Sequence, residues 1–155
     1  MHGAILAFLT LLFLLRVVGQ VLVAFARVTW LPSMEQWFSG LVPYRILLPV
    51  QIVILLGMIK ISADVWRGEG LFGSPRPRWS RRLIGCSALY ADAMIGRYVV
   101  TMMLRPEMRW LGGTIPIFFH FVLAGFVFTL GAHYRRGNFR RAKRRTTSIE
   151  STHLP

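Results

Sequence analysis

The sequence is poor in cysteine, with one such residue among 155. A single thiol cannot form an intrachain disulfide or a cysteine-based metal cluster. Because Cys86 falls within a long apolar stretch, we interpret it as a small packing residue. Histidine offers little more for metal or haem binding. His120 and His133 are thirteen residues apart, about 220° around a helix, so they face nearly opposite directions. We therefore expect no metal and no cofactor.

Acidic residues are also scarce, six in all against 19 Lys and Arg. Asp92 is the one acid near the middle of an apolar stretch, so paired-carboxylate catalysis lacks its second member. No hydrolase or kinase motif occurs in the chain. The sequence favours a protein without catalytic activity of its own, although it leaves the question of an enzyme open.

Long apolar stretches are what the chain has in abundance. The chain is 54% hydrophobic, and its mean hydropathy is +0.50. About 20 helical residues, at 1.5 Å each, cross a bilayer core of about 30 Å. We therefore predict an all-α integral membrane protein, a bundle of four transmembrane helices. Its spans are 4–25, 46–66, 83–104 and 115–134.

A further short helix is predicted in the first connection between spans. Ser33 and Gln36 fit a capping box, and Gly40 fits a helix stop. Aromatic residues typical of a membrane interface accompany them. They are Trp30, Trp37, Phe38 and Tyr44. We expect this helix to lie on the outer membrane surface.

The net charge of +13 is unevenly distributed. Twelve basic residues lie in the second connection and after the fourth span, against four in the other two connections. The positive-inside rule then places both termini in the cytoplasm of a plasma (inner) membrane protein. It also explains the basic charge without a nucleic-acid partner. We divide the chain into a transmembrane domain, 1–134, and a basic, disordered cytoplasmic tail, 135–155, which can attract anionic lipids at ~1 kcal/mol per residue.

Charged and amide side chains interrupt the spans, where a charge costs at least ~2.5–3.5 kcal/mol. At 1.5 Å per residue, Arg16 and Asp92 lie about 18 Å and about 14 Å from the cytoplasmic end, so we predict an ion pair. Lys60 and Asp64, four residues apart, are predicted as a second pair. A higher layer, at about 21–24 Å, predicts a polar pocket. Its residues are Gln20, Gln51, Arg97 and His120.

Several functions fit these features. The sequence favours an accessory or scaffolding subunit of a larger membrane complex, or a binder of an anionic lipid-like or quinone-like molecule. A proton-coupled transporter using Asp92 and His120 is an alternative that requires a homo-oligomer. A membrane enzyme acting on a lipid or quinone is another. If the intramembrane polar residues only satisfy one another, they fix the packing of the helices and bind nothing.

The charge asymmetry predicts the topology directly. Reporter fusions after Gly73 and after Pro155 should both report the cytoplasm, and a fusion after Gly40 should report the outside. The measurement is a pair of reporters active on opposite sides of the membrane. A cytoplasmic signal at Gly40 contradicts the four-span topology.

Overall fold

The structure, a computed structural model of the whole chain, is helical nearly throughout the part that it describes. That part comprises residues 1–26, 31, 43–74, 77–104 and 114–152. The short interfacial helix predicted between Ser33 and Gly40 lies outside these residues. Five helices are numbered here in chain order. They are α1 His2–Ala26, α2 Tyr44–Arg67, α3 Gly70–Gly73, α4 Pro77–Leu104 and α5 Thr114–Thr152.

Four of these helices contain a segment long and apolar enough to cross a membrane, namely all except α3. Their candidate spans have 25, 24, 27 and 19 residues. At 1.5 Å per residue the shortest is about 28 Å long, close to the thickness of the hydrocarbon core. The prediction of an all-α protein with four transmembrane helices is confirmed. The chain is a small multi-pass membrane protein.

The long helices pack in the order α2–α1–α5–α4. Helices α1 and α5 are central, and each flanking helix packs on one of them. Buried side chains from α1, α2 and α5 form the apolar core. They include Leu6, Phe13, Leu55, Met58, Phe126 and Leu130. The third span is rich in small residues, a composition typical of a helix packed closely on its neighbours. It is nevertheless peripheral, since 6% of the α4 span is buried, against 39% of the α1 span.

Hydroxyl groups join the helices at close range. Ser62 of α2 donates to the hydroxyl of Thr10 on α1 at 2.9 Å, because Thr10 donates its own proton to the Leu6 carbonyl. Ser80 and Ser87 of α4, two turns apart on one face, donate to the carbonyls of Gly131 and Ala124 on α5, at 2.9 and 2.8 Å. Small residues at such a contact let the backbones approach, which is how helices associate in lipid.

The connection after α2 folds back on Asp64. The carboxylate of Asp64 pairs with Lys60 at 2.6 Å, and its second oxygen accepts the Phe72 N–H at 3.4 Å. Gly68 ends α2 in the left-handed conformation, with φ 71°, and its N–H donates to the Asp64 carbonyl. Asp64 thus anchors both the end of α2 and the short helix α3.

Helix α5 is longer than the predicted fourth span. It continues in helical conformation from Thr114 to Thr152, through the position near Tyr134 where the apolar signal stops. This continuation fits the residues present, because Arg, Lys and Ala are good helix formers and extending an existing helix adds one hydrogen bond per residue. The division into a transmembrane domain, 1–134, and a basic, disordered tail, 135–155, stays a prediction.

Two neighbouring glycines allow the fold around Asp64 to be tested. Gly68→Ala and Gly70→Ala both place a Cβ on a residue with positive φ, which costs about 1–2 kcal/mol. A Cβ on Gly68 meets nothing within 4 Å, whereas one on Gly70 would lie 2.6 Å from Asp64 Oδ2. We therefore expect Gly70→Ala to lower the melting temperature in detergent by several degrees more than Gly68→Ala. Equal losses would contradict the packing of this connection on Asp64.

Candidate functional site

Arg16 is buried in the middle of α1, with 7% of its surface exposed. Its guanidinium carbon lies 5.0 Å from the ring centroid of Phe119 on α5, a cation–π contact. Within the described residues its Nε atom makes no hydrogen bond. Arginine has five N–H donors, and the cation–π contact with the ring of Phe119 uses none of them in a conventional hydrogen bond. Arg16 is therefore placed to bind a further acceptor.

A tyrosine and a histidine join α4 to α5 at the same place. The Tyr90 hydroxyl lies 2.5 Å from His120 Nδ1, and the two rings meet edge to face with centroids 5.8 Å apart. The hydroxyl donates to Nδ1 when the imidazole carries its proton on Nε2. The pair fixes the orientation of His120 between the two helices.

Two arginines lie within electrostatic range of this pair. Both Arg16 and Arg97 interact electrostatically with Tyr90 and with His120. Together with Phe119 these residues form what we call the arginine cluster, which consists of Arg16, Tyr90, Arg97, Phe119 and His120. In the part of the chain that the structure describes, the one ion pair is that of Lys60 with Asp64, so neither cluster arginine has a carboxylate partner. The cluster is positively charged and can bind an anion.

The four residues of the predicted pocket lie on four different helices. Arg97 and His120 belong to the arginine cluster. Gln51, which is 3% exposed, is buried on α2, and α2 packs on α1 among the long helices. Both ends of its amide lack a hydrogen bond within the described residues. Gln20, one turn from Arg16 on α1, is fully buried. No contact among the described residues joins Gln51 to Arg97 or His120, so the structure does not show the four as one site.

Asp92 does not meet Arg16. Asp92 is exposed on α4, and the two residues form no ion pair in the described structure. The reason lies in the direction of the side chains. Tyr90 faces α5, and two residues further along a helix the side chain has turned by about 200°. The similar depth of Arg16 and Asp92 is therefore not enough to make them partners.

Lys60 and Asp64 do form an ion pair, but away from the arginine cluster. The pair lies near the end of α2, where Asp64 also binds the backbone of the following connection. Lys60 keeps 60% of its side chain exposed, while the Asp64 side chain is 9% exposed. This placement gives the pair a structural role at the helix end.

Sequence reasoning missed Tyr90 and Phe119. A signal for Tyr90 was present, because four polar residues of α4 lie three, seven and four residues apart. They are Ser87, Tyr90, Arg97 and Thr101. Such spacing places them on one helix face, and that face packs on α5. Phe119 has no comparable signal, since it is one of many aromatic residues in its span.

Comparison of the chain with protein-family models, with curated proteins and with solved structures gives no match. Within the described residues there is also no group of three or more His, Cys, Asp or Glu side chains placed to hold a metal ion. The class of protein, a small multi-pass membrane protein, is set by its four spans.

Double-mutant cycles can test which residue Arg16 contacts. The cycle of Arg16→Leu with Phe119→Leu should give a coupling energy of about 0.5–2 kcal/mol, as for a cation–π contact. The cycle of Arg16→Leu with Asp92→Asn should give a coupling near zero, because the two side chains face different directions. The measurement is the free energy of unfolding in mixed detergent micelles. A larger coupling to Asp92 than to Phe119 would contradict the structure.

Proposed function

We propose that the protein binds an anionic lipid-like molecule at the arginine cluster. The observation that carries the proposal is the burial of Arg16 inside a membrane span with an aromatic ring, and no carboxylate, as its partner in the described structure. Arg97 adds a second positive charge beside the same Tyr90–His120 pair. Two cations with no carboxylate paired to them among the described residues form an incomplete site.

The energetics favour an anionic guest. A buried arginine in a span costs at least ~2.5–3.5 kcal/mol on the lenient scale. The cation–π contact with Phe119 returns about 0.5–2 kcal/mol. A phosphate or carboxylate can accept two parallel N–H hydrogen bonds from one guanidinium. Each such charge-assisted bond is roughly twice as strong as a hydrogen bond between neutral groups. The headgroup of an anionic lipid supplies this chemistry where water cannot.

The packing of the helices supports access from the lipid phase. Helices α1 and α4 both pack on α5, and within the described residues they do not pack on each other. The cluster draws residues from all three, so it lies over α5 between its two neighbours. Arg97 is half-buried, and Phe118 and Phe121, beside the cluster residues of α5, are 53% and 37% exposed. An acyl chain can lie along such a surface while the headgroup reaches the arginines.

A quinone-like guest is the second candidate at this site. The Tyr90 hydroxyl and His120 can hydrogen-bond a carbonyl oxygen, and that pair is the observation in its favour. A neutral quinone leaves both arginines without an anion, however, so the electrostatics favour the lipid. Attraction of anionic lipids by the basic segment after Tyr134 is a separate proposal, supported by its charge alone.

The experiment compares lipids retained by purified variants at matched yield. Wild type should retain phosphatidylglycerol over phosphatidylcholine, measured by mass spectrometry. Arg97→Lys should reduce retention, because a forked donor becomes a point charge. Arg97→Gln should reduce it further, by about tenfold if about 1.4 kcal/mol is lost. His120→Phe should also change the amount of phosphatidylglycerol retained. Arg45→Gln, an exposed arginine outside the cluster, is the matched control.

Two added probes separate the sources of the signal. Inorganic phosphate that displaces the lipid from wild type would show that the headgroup alone is recognised. If wild type binds ubiquinone in preference to phosphatidylglycerol, and His120→Phe loses this binding, the ligand of the cluster is a quinone and not a lipid. Identical lipid retention in the cluster variants and in Arg45→Gln would mean that no lipid binds at the arginine cluster and that these residues have a structural role.

A further inference from the structure

Helix α4 presents one whole face to the membrane. Among the described helices of membrane length it packs on α5 alone. Its exposed residues include a set spaced alternately four and three apart, the spacing of a helix that packs along another helix. The set, called here the Asp92 face, consists of Gly85, Leu89, Asp92, Gly96, Val99 and Met103, all exposed.

A carboxylate lies at the centre of this face. Asp92 is fifteen residues from Pro77 and twelve from Leu104, so it is about 22 Å and about 18 Å along the helix from its two ends. Facing hydrocarbon at this depth is unfavourable for a carboxylate. No residue in the described part of the chain hydrogen-bonds or pairs with it. Arg97 is turned about 140° away around the helix, and Lys60 is paired with Asp64.

We propose that the Asp92 face binds a transmembrane helix of another protein that carries an arginine or lysine at matching depth. The charge of Asp92 defines the partner, because a cation on that helix would neutralise it away from water. The shape of the face fits a helix. A Cβ at Gly85 or at Gly96 would meet nothing within 4 Å, so both positions are open for close approach.

A second copy of this chain fits the face less well. In a two-fold symmetric pair, equivalent residues face each other, so the two Asp92 carboxylates would meet at one depth. Like charges at close range disfavour this arrangement. Among the described residues Lys60 is paired with Asp64, and Arg16 and Arg97 belong to the arginine cluster, so none of these cations is placed to pair with the Asp92 of a second copy. The partner is therefore a different chain, as an accessory subunit of a membrane complex requires.

This inference does not depend on lipid binding at the arginine cluster. Asp92 and Tyr90 point about 200° apart on α4, so the Asp92 face and the cluster lie on different sides of the helix. A variant on one side leaves the other intact, and each proposal can fail alone.

The test uses the single cysteine as a built-in label site. Cys86, which the sequence predicted to be a packing residue, is instead exposed on α4, and it can carry a fluorescent donor in the full-length protein reconstituted in liposomes. The probes are acceptor-labelled synthetic transmembrane peptides of Leu and Ala with Arg, Leu or Glu at the centre. A fourth peptide carries Arg two turns from the centre. We expect saturable energy transfer with the central-Arg peptide at about tenfold lower peptide-to-lipid ratio than with the Leu peptide.

Two variants separate charge from shape. Asp92→Asn should abolish the tenfold preference for Arg while leaving the fold unchanged, because Asp92 has no partner among the described residues. Gly96→Leu keeps the carboxylate but fills the open space, and it should also remove the preference. Gly57→Leu on α2, where a Cβ likewise meets nothing within 4 Å, is the matched control and should bind as wild type does. Unchanged melting temperatures and lipid retention check the fold.

Three results would overturn the proposal. Equal transfer with Arg and Leu peptides would mean that the face has no preference for a cation. Absence of transfer with every peptide would mean that Asp92 faces lipid without a partner. Asp92-dependent transfer between donor-labelled and acceptor-labelled copies of the chain itself, without peptide, would assign the face to a homo-oligomer.

Discussion

The bilayer interior offers no hydrogen bonds, and each polar group within it needs a partner supplied by protein or ligand. This constraint explains the contacts between helices. Ser80 and Ser87 donate to carbonyls of α5, and the hydroxyls of Thr10 and Ser62 bond across α1 and α2. Such bonds average only ~0.6 kcal/mol in membranes. Their main effect is to fix which helix faces meet, and hence which polar residues are left over.

Two groups of left-over polar residues lie on opposite sides of α4. On one side of α4, Tyr90 and Arg97 complete a cationic cluster with Arg16 and His120. On the other side, Asp92 faces the membrane. A helix in the middle of a bundle would have both sides covered, but α4 is at the end of the row. Its position therefore gives the protein two surfaces of opposite charge, one suited to an anionic molecule and one to a cationic helix.

The sequence was sufficient for the spans, because a run of twenty apolar residues has few other stable environments. It was insufficient for side-chain pairing. The rise per residue gives the depth of a side chain in the membrane, and on depth alone Arg16 and Asp92 are predicted to pair. The direction in which a side chain points depends on which helices pack together, and depth does not show this. The small residues of the third span likewise do not reveal which of them face a neighbouring helix. Ser87 contacts α5, whereas Gly85 and Gly96 lie on an open face. Tyr90 was predictable from spacing, and Phe119 was not.

The continuity of α5 has a mechanical consequence. The helix carries Phe119 and His120 near one end and reaches Thr152 at the other, 32 residues beyond His120 and about 48 Å away. A helix this long behaves as a lever with its short arm in the membrane. A tilt of about 10° at the cluster displaces the far end by about 8 Å. If a ligand at the proposed site tilted α5, the movement at its far end would therefore be larger than the movement at the cluster.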